Sequence, residues 1–544
     1  MAPLNNTRVQ SEPTDGLLGN LAEVALVFCV FFIQGTWPVP EVNEPYYLSK
    51  AIHFWNPDWV GEDFFLDSAD THQVFYFTFG WLSRYLSPVV LAWTGRLLTW
   101  ALLAWSWWRL SRSVLPRRWW SILAAALLVM LTERCHLAGE WIIGGVEAKG
   151  FAFVFVFLAL EALTRARWNW AFALFGAAAC FHVLIGGWAI VATGFALLFL
   201  PEDRPRLATL WPGLTLGMLF SLPSLIPSLG LTWAVDPEIV RQANYIYVFE
   251  RLPHHLFPTH FIVRFSLLVI FWLLLCRTRW GEPPESRLRA FVFGTLVIGG
   301  AGMIIALSAA FAPDNAAGLL RFYWFRLVDV AVPMGVALGG ASYIAYHLQV
   351  RPAWGKLWLG IVVALCTLHL GVHAVRRPLP TVPRADRLPH YRSWRLACRW
   401  IAQSGEIPAD ACFLTPRLAQ TFKWYTGRAE VVTWKDIPQD PRSIVAWWNR
   451  LQDIHATGSM APDERWRESL AELDEARLRA LGRKYGANYL LTRTEPPLDL
   501  EVLYRNRHYV VYCLDQYPLK KQNIEGKRGK IKTRRTRRTQ RKEV

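Results

Sequence analysis

The sequence has few charges, and its soluble part lacks the common enzyme motifs. Asp, Glu, Lys and Arg make up 19% of its 544 residues, whereas 53% are hydrophobic. The C-terminal part contains no Gly-rich phosphate loop and no catalytic Ser or Cys motif. The eight Cys residues show no spacing typical of a zinc site. We therefore expect the C-terminal part to be an accessory domain, unless it shapes a site for an acceptor.

The charge that is present is concentrated at the C-terminus. Residues 519–544 contain twelve Lys or Arg residues and only two Glu residues. Such a block is typical of a disordered tail, which can attach to anionic lipid or polymer. Nothing in it resembles a nucleic-acid reader, so no nucleic-acid partner is expected.

Long apolar runs and a high aromatic content, with 29 Trp and 31 Phe residues, indicate a polytopic α-helical membrane protein. A spanning helix needs roughly 20 mostly apolar residues. Eleven spans are predicted in a transmembrane domain over 17–378, after an N-terminal segment 1–16: 17–37, 88–108, 119–134, 150–164, 168–181, 184–200, 208–229, 261–277, 289–311, 322–346 and 357–375. The first span lacks a small-residue cleavage site and is interpreted as an uncleaved anchor.

The charges of the loops predict the orientation. Loops on the N-terminal side of the predicted membrane carry fourteen Lys or Arg residues, and the opposite loops carry seven. The positive-inside rule then puts the N-terminus in the cytoplasm of a bacterial cell, with the chain in the inner membrane. An odd number of spans places the C-terminal domain outside.

From about residue 385 the pattern changes to that of a small α/β domain, predicted over 385–516. Short apolar stretches such as "ACFLTP" and "HYVVYCLD" are typical of buried strands, and helical patterns lie between them. The stretch 462–486 is predicted to form one long amphipathic helix. The alternation favours a mainly parallel sheet.

The first outer loop begins with "VPEVNEPYYLSKAIHFW" directly after a span. Glu44 is predicted to start an amphipathic helix at the membrane boundary, where a carboxylate is also favoured by the helix dipole. His72 lies further along the same loop. Glu44 is either a catalytic base or simply a helix start.

The other outer loops supply more charged and imidazole groups. Charges within a bilayer are costly unless they are paired or face a wet cavity, so they mark possible functional sites. Arg326 and Asp329 are three residues apart on one predicted helix and can pair with each other. The candidates for binding substrate are His72, Lys149, Arg251, His254, His255, Arg321 and Arg326; Glu140 and Glu147 are possible ligands of Mg²⁺ or Mn²⁺.

Carboxylates and cations at one membrane face suit the transfer of a sugar from a polyprenyl phosphate. The reaction needs a base for the acceptor's proton and cations or a divalent metal for the departing phosphate. Arg suits phosphate because its planar group donates two hydrogen bonds. The lipid tail reaches such a site through the bilayer, so we expect membrane lipids and a lipid-linked sugar donor as partners.

At these residues the sequence resembles the GT-C membrane glycosyltransferases, which include protein O-mannosyltransferases, oligosaccharyltransferase catalytic subunits and aminoarabinose transferases. The resemblance rests on an acid after the first span, many spans and an outward C-terminal domain. It implies that Glu44 is catalytic and that the anomeric carbon is inverted. These families commonly carry a second, adjacent acid, where this chain has Asn43.

The sequence also resembles uncharacterised bacterial membrane proteins that carry a domain of unknown function, through "NEPYYL", "GEWIIGGVEAKGFAF" and "TFKWYTGR". That resemblance implies a common fold but no activity. A transporter or lipid flippase is the alternative function, although the sequence shows no internal repeat of the kind common in transporters. A non-enzymatic scaffold is a third. Acids that converge on one pocket favour the enzyme, and acids along a central path favour the transporter.

Overall fold

The structure is a computed structural model that describes residues 16–115, 117–200, 203–256, 262–277, 283–459, 461 and 463–514. The predicted basic tail 519–544 and all but the last residue of the N-terminal segment lie outside these residues.

The first part of the chain is helical, as predicted. Its α-helices are α1 (Leu17–Gly35), α2 (Glu44–Trp55), α3 (Gln73–Thr78), α4 (Pro88–Val114), α5 (Trp120–Arg134), α6 (Ala148–Thr164), α7 (Trp168–Phe181), α8 (Val183–Leu198), α9 (Trp211–Gly230), α10 (Pro237–Tyr245), α11 (Pro253–Leu256), α12 (Ile262–Arg277), α13 (Pro283–Ser308), α14 (Pro313–Leu320), α15 (Val328–Val350) and α16 (Pro352–Arg376). Short 3₁₀ turns lie at Gly80–Arg84 and Leu207–Thr209, and a π-helical turn at Ile246–Arg251.

Six of these helices, α1, α4, α9, α13, α15 and α16, are long and apolar enough to cross a membrane. The chain is therefore an integral membrane protein. Helices also occupy the other five predicted positions, and among them α7 and α8 are short and apolar. The total of eleven spans stays a prediction.

Small residues set how closely the helices of this bundle approach each other. A Cβ atom at Gly176 of α7 would lie 2.1 Å from the backbone oxygen of Gly217 in α9. A Cβ at Gly213 would likewise lie 2.4 Å from the Asn169 oxygen. The two helices thus pack backbone against backbone, as small residues allow within membranes.

The C-terminal part is an α/β domain, with a mixed sheet where a mainly parallel one was predicted. Its elements are α17 (Tyr391–Gln403), β1 (Cys412–Leu414), α18 (Phe422–Thr426), β2 (Ala429–Glu430), α19 (Pro441–His455), α20 (Glu475–Tyr485), β3 (Tyr489–Arg493), β4 (Glu501–Arg505) and β5 (Tyr509–Cys513). The strand order is β2-β1-β3-β5-β4, and β5 runs antiparallel to both of its neighbours. The difference arises because β4 and β5 form a hairpin over only three connecting residues, which permits only antiparallel pairing.

The single helix predicted over 462–486 is also wrong, because two caps interrupt it. The Ser469 hydroxyl accepts from the amide of Ala471 and starts a 3₁₀ turn at Leu470–Glu472. The Asp474 carboxylate then accepts from the amide of Arg477, so α20 begins only at Glu475. Short polar side chains favour such caps over continued helix.

The α/β domain is packed firmly onto the outer loops of the helical part. Lys423 of the "TFKWYTGR" stretch is buried and contacts three carboxylates: 2.7 Å to Asp436, 2.8 Å to Glu430 and 3.5 Å to Asp63 of the first loop. The three carboxylates raise the pKa of Lys423 although burial opposes this. This contact fixes the sheet domain above the helices, and the segment after β2 therefore reaches into the space between them.

Candidate active site

One cavity of about 410 Å³ lies where the helical part meets the sheet domain. The start of α2, the loop between α5 and α6, the π-helical turn and the turn before α15 all contribute to it. The segment between β2 and α19 closes it with Lys435, Ile437, Pro438 and Gln439. The sheet domain therefore forms part of the cavity. The sequence predicted an accessory domain, with a role in shaping an acceptor site as the alternative.

Most of the residues singled out in the sequence meet in this cavity. The predicted residues that line it are His72, Glu140, Glu147, Lys149, Arg251, His255, Arg321 and Arg326. Two do not: His254 is exposed on α11, and Glu44 lies beneath the cavity floor. Groups from distant parts of the chain thus converge in a single hollow.

Glu44 does not have the geometry of a base. It starts α2 as predicted, but its side chain is 0% exposed and bound on both oxygens. Arg96 donates to Oε1 at 2.6 Å and to Oε2 at 2.7 Å, and the amides of Val146 and Glu41 complete the set. A carboxylate held in this way has no lone pair directed at a substrate. The geometry therefore assigns Glu44 a structural role.

Close packing over Glu44 also explains the double glycine in "WIIGGVEAKG". A Cβ atom at Gly145 would lie 2.9 Å from the Cβ of Glu41 and 3.0 Å from the Cγ of Glu44. The α5–α6 loop can therefore cross directly over this ion pair and carry Glu147 and Lys149 into the cavity.

Glu140 and Glu147 do not fit the predicted Mg²⁺ or Mn²⁺ site. Glu140 binds Lys149 at 2.6 Å with one oxygen and Arg326 at 2.7 Å with the other. Burial opposes ionisation of Glu140, yet these cations lower its pKa to about 2. Lys149 also lies 3.5 Å from Glu147. An ammonium group between the two carboxylates occupies the position that a divalent ion would need.

Arg326 and Asp329 do not pair with each other as predicted, because α15 begins only at Val328. Arg326 lies in the turn before it and points to Glu140 and to His182 Nε2, 3.0 Å away. Asp329, in the first turn, accepts from the backbone amides of Leu137, Ala138 and Glu140. Asp329 thus anchors the α5–α6 loop. Arg326 does not pair with Asp329, and its side chain lines the cavity.

Three other cations of the cavity are held by neutral oxygens instead of carboxylates. Arg251 donates to the Trp434 carbonyl at 2.8 Å, and Arg321 to the side-chain oxygen of Asn244 at 2.5 Å. Lys435 donates to the side-chain oxygen of Asn43 at 2.5 Å. Among the described residues none of these three cations has a carboxylate within 4 Å, so this part of the cavity can accept an anion.

Asn43, at the position where the GT-C families that the first outer loop resembles commonly carry a second acid, links two charged groups. Its amide nitrogen donates to Glu147 at 2.7 Å, and its oxygen accepts from Lys435. Burial raises the pKa of Glu147, and a second carboxylate at position 43 would repel it. The departure from the family pattern therefore follows from the local charge balance.

An Asp–His pair lies on the wall of the cavity. His72 Nδ1 lies 3.0 Å from an oxygen of the Asp70 carboxylate and 3.0 Å from the side-chain nitrogen of Gln439. The His72 amide donates to the same Asp70 oxygen at 2.7 Å. Burial opposes the charge on Asp70, but His72 and Lys50 lower its pKa to about 2. Among the described residues Nε2 of His72 has no hydrogen-bond partner, so it is available to a molecule in the cavity.

An apolar wall joins the charged part of the cavity to the membrane-facing surface. It is formed by Phe181, Val183, Leu184, Leu225, Leu229 and Leu231. Leu229 of α9 lines the cavity and is also 64% exposed, and its neighbour Ile226 is 62% exposed. A hydrocarbon chain along α9 thus has a continuous apolar path into the cavity.

Sequence reasoning missed Arg96, Lys435 and the pairing of Asp70 with His72. Arg96 lies within a predicted span, and a charge there already signals a buried partner. The Asp-x-His spacing places both side chains within one turn, so the pairing of Asp70 with His72 could also have been predicted from the sequence. Lys435 carried no local signal, because only the tertiary packing of the sheet domain brings it to the cavity.

Comparisons with known proteins give a partial family match and a distant structural likeness. Residues 392–454 match the family model described as DUF6798, a domain of unknown function. This agrees with the resemblance seen in the "TFKWYTGR" stretch, which lies within the match. No curated protein sequence matches this chain.

Several solved membrane proteins are similar to this chain in structure. The Archaeoglobus fulgidus oligosaccharyltransferase complexed with Zn and sulfate has a TM-score of 0.38 and 11% identity, covering 87% of this chain and 68% of that chain. The same organism's AglB, complexed with an inhibitory peptide and a dolichol-phosphate, has a TM-score of 0.39 and 13% identity, covering 87% and 69%. ArnT from Cupriavidus metallidurans has a TM-score of 0.37 and 15% identity, covering 91% and 97%.

These solved proteins are GT-C glycosyltransferases, the class that the first outer loop resembles. With TM-scores under 0.4 the likeness is distant, and the function proposed for this chain depends on its own residues.

Proposed function

We propose that this integral membrane protein is a glycosyltransferase that takes a sugar from a polyprenyl-phosphate donor and transfers it to an acceptor on the extracytoplasmic face. The observation that carries the proposal is the content of one cavity: three cations bound to neutral oxygens, an Asp–His pair and an apolar wall that continues to exposed apolar residues of α9.

The donor's phosphate binds to Arg251, Arg321 and Lys435. The two guanidinium groups donate paired hydrogen bonds to phosphate oxygens, and Lys435 adds a charge from the sheet domain. The polyprenyl chain leaves along Leu184, Leu225 and Leu229. As the bond between the sugar and the phosphate oxygen breaks, these cations stabilise the negative charge of the departing phosphate.

His72 serves as the general base in place of Glu44. Asp70 fixes the protonated nitrogen of the ring, so Nε2 accepts the proton of the acceptor's hydroxyl while its oxygen attacks the anomeric carbon. A neutral imidazole has one ring nitrogen with a free lone pair, which is what a general base requires.

The convergence of charges favours an enzyme over a transporter. Acids and cations from five outer segments meet in one hollow, as expected for a catalytic site, and are not strung along a path through the helices. The cytoplasmic N-terminus and the outward sheet domain are part of the proposal.

The test is turnover by the purified full chain with a panel of polyprenyl-phosphate sugars in lipid nanodiscs. We expect release or transfer of the sugar from at least one donor of the panel, and none from a free sugar phosphate without the lipid. Failure of every donor, with protein that melts cooperatively, would remove the enzyme proposal.

Donor binding is expected to weaken as the pH rises through about 8. Burial and the nearby Arg251 lower the pKa of Lys435 to about 8, so its charge is present below that pH and lost above it. Polyprenyl phosphate binding to wild type is measured between pH 7 and 9. Lys435→Met should bind weakly at both pH values, and Lys435→Arg should bind well at both. A pH dependence that persists in Lys435→Arg would contradict the assignment.

A further inference from the structure

A second cluster of polar groups lies outside the cavity described above, where α5 and α16 end. Glu133 comes from the last turns of α5, and His369 and His373 come from the last turns of α16. One ligand atom from each of the three residues lies within 4.8 Å of the others. The two histidines are four residues apart, so one helix face presents both to the same carboxylate.

The contacts within this cluster converge on one oxygen of Glu133. His373 Nε2 lies 2.9 Å and His369 Nε2 4.0 Å from its Oε2. Gln34 and Arg377 donate to the same atom at 2.6 and 2.5 Å. Arg377 follows His373 by one more turn, so it supplies the positive charge from the same face of the helix.

An unsatisfied nitrogen provides a second, independent sign of a ligand. His369 is 2% exposed, and its Nε2 lies 3.1 Å from the side-chain oxygen of Gln34. Its Nδ1 is buried without a hydrogen-bond partner in the described part of the chain. A buried polar atom without a partner is costly, and an ion bound through Nδ1 would remove that cost. An ion bound through Nε2, the nitrogen that faces Glu133, would take the place of the Gln34 contact.

A cavity of about 240 Å³ adjoins the cluster. Gln34, Glu133, His136 and Arg377 line it, and Glu140 and Trp141 separate it from the larger cavity. Glu133 keeps 38% of its side chain exposed, so an ion from water has access to the carboxylate.

We infer that Glu133, His369 and His373 form a binding site for a divalent transition-metal ion of the zinc type. Two imidazoles and one carboxylate are a ligand set that zinc prefers, and two histidines at this helical spacing are typical of it. Three protein ligands leave a fourth position for water from the adjoining cavity. Arg377 competes with the ion, because both neutralise Glu133. The site is separate from the proposed sugar transfer, and its test is independent of turnover.

The test is a calorimetric titration of the chelator-treated full chain in detergent with Zn²⁺ alone. We expect one equivalent to bind, with affinity reduced at least about tenfold in His369→Ala and in His373→Ala. Arg377→Gln should bind Zn²⁺ several-fold more tightly, since it removes the competing cation. Co²⁺ in place of Zn²⁺ should give the visible absorption of a tetrahedral site in wild type and not in His373→Ala.

A matched control is His508→Ala. His508 stacks on His390 in the sheet domain with ring centres 3.6 Å apart, so it tests for adventitious binding to a surface histidine pair. Binding that is lost in His508→Ala and unchanged in His369→Ala and His373→Ala would overturn the inference. If the histidine variants fail to fold, Arg377→Gln decides: tighter Zn²⁺ binding supports the site, and equal or weaker binding contradicts it.

Discussion

Glu44→Gln is expected to destabilise the folded protein by about 3–5 kcal/mol, the cost typical of breaking a buried ion pair. The substitution keeps the size of the side chain but removes its charge. Arg96, which is also 0% exposed, would then remain as a buried cation without a counter-ion. An amide can replace only part of the four hydrogen bonds that the carboxylate accepts.

Thermal unfolding of the detergent-solubilised chain measures this effect. The control is Arg165→Gln, which removes an ion pair with Glu161 in which the Arg165 side chain is 46% exposed and which is worth about 1 kcal/mol or less. The double variant Glu44→Gln/Arg96→Gln should recover part of the loss, because both buried charges leave together. A Glu44→Gln variant that unfolds like wild type but has no turnover would instead restore Glu44 as the catalytic base.

His72→Ala is expected to lower kcat by a factor of about 10² to 10⁴, the range in which a general base contributes. Donor affinity should change little, because the proposal assigns the phosphate to Arg251, Arg321 and Lys435 and not to His72. Turnover and donor binding are measured on the same preparation. Asp70→Asn should lower kcat less, since it affects only the orientation of His72 and the stabilisation of its charge.

His254→Ala is the matched control for this prediction. His254 is a histidine of an outer loop that is exposed and does not line the cavity, so its loss should leave kcat within about twofold of wild type. Equal turnover in His72→Ala and wild type would remove the proposed base and direct attention to Glu147.

The helices could be predicted from the sequence because each membrane-spanning helix requires a continuous apolar run, which can be located without knowing the tertiary structure. Each of the eleven predicted spans coincides with a helix, and most of their ends agree within a few residues. The helix starts differ most, by six residues, at α13 and α15. In α15 the difference arises because residues 321–327 are apolar enough to extend a span but form a separate turn after α14. That turn gives Arg326 its place in the cavity.

The pairing of charges could not be predicted, because it depends on which segments meet. The resemblance of the first outer loop implies a catalytic Glu44, with a helix start as the alternative, and neither interpretation identifies the residue that pairs with its carboxylate. Its partner Arg96 lies 52 residues further along the chain, and the loop that covers it lies a further 50 residues away. Whether a carboxylate forms an ion pair depends on the tertiary structure, and the spacing of residues along the sequence does not reveal it.

The contribution of the sheet domain to the cavity could not be predicted from the sequence either. Its sequence carries no catalytic motif, yet Lys435 and Gln439 line the cavity in a domain whose Lys423 lies 3.5 Å from Asp63 of the first loop. The "TFKWYTGR" stretch is therefore a docking element, which explains why a resemblance in that stretch accompanies one in the outer loops.

The most direct test of the central claim is the binding of polyprenyl phosphate to the full chain in nanodiscs. Loss of a charge-assisted hydrogen bond costs about 1.5–3 kcal/mol, so Arg251→Gln and Arg321→Gln should each weaken binding about 10- to 100-fold. The control Arg241→Gln, an exposed arginine on α10 outside the cavity, should bind like wild type. Wild-type affinity in both cavity variants would contradict the account.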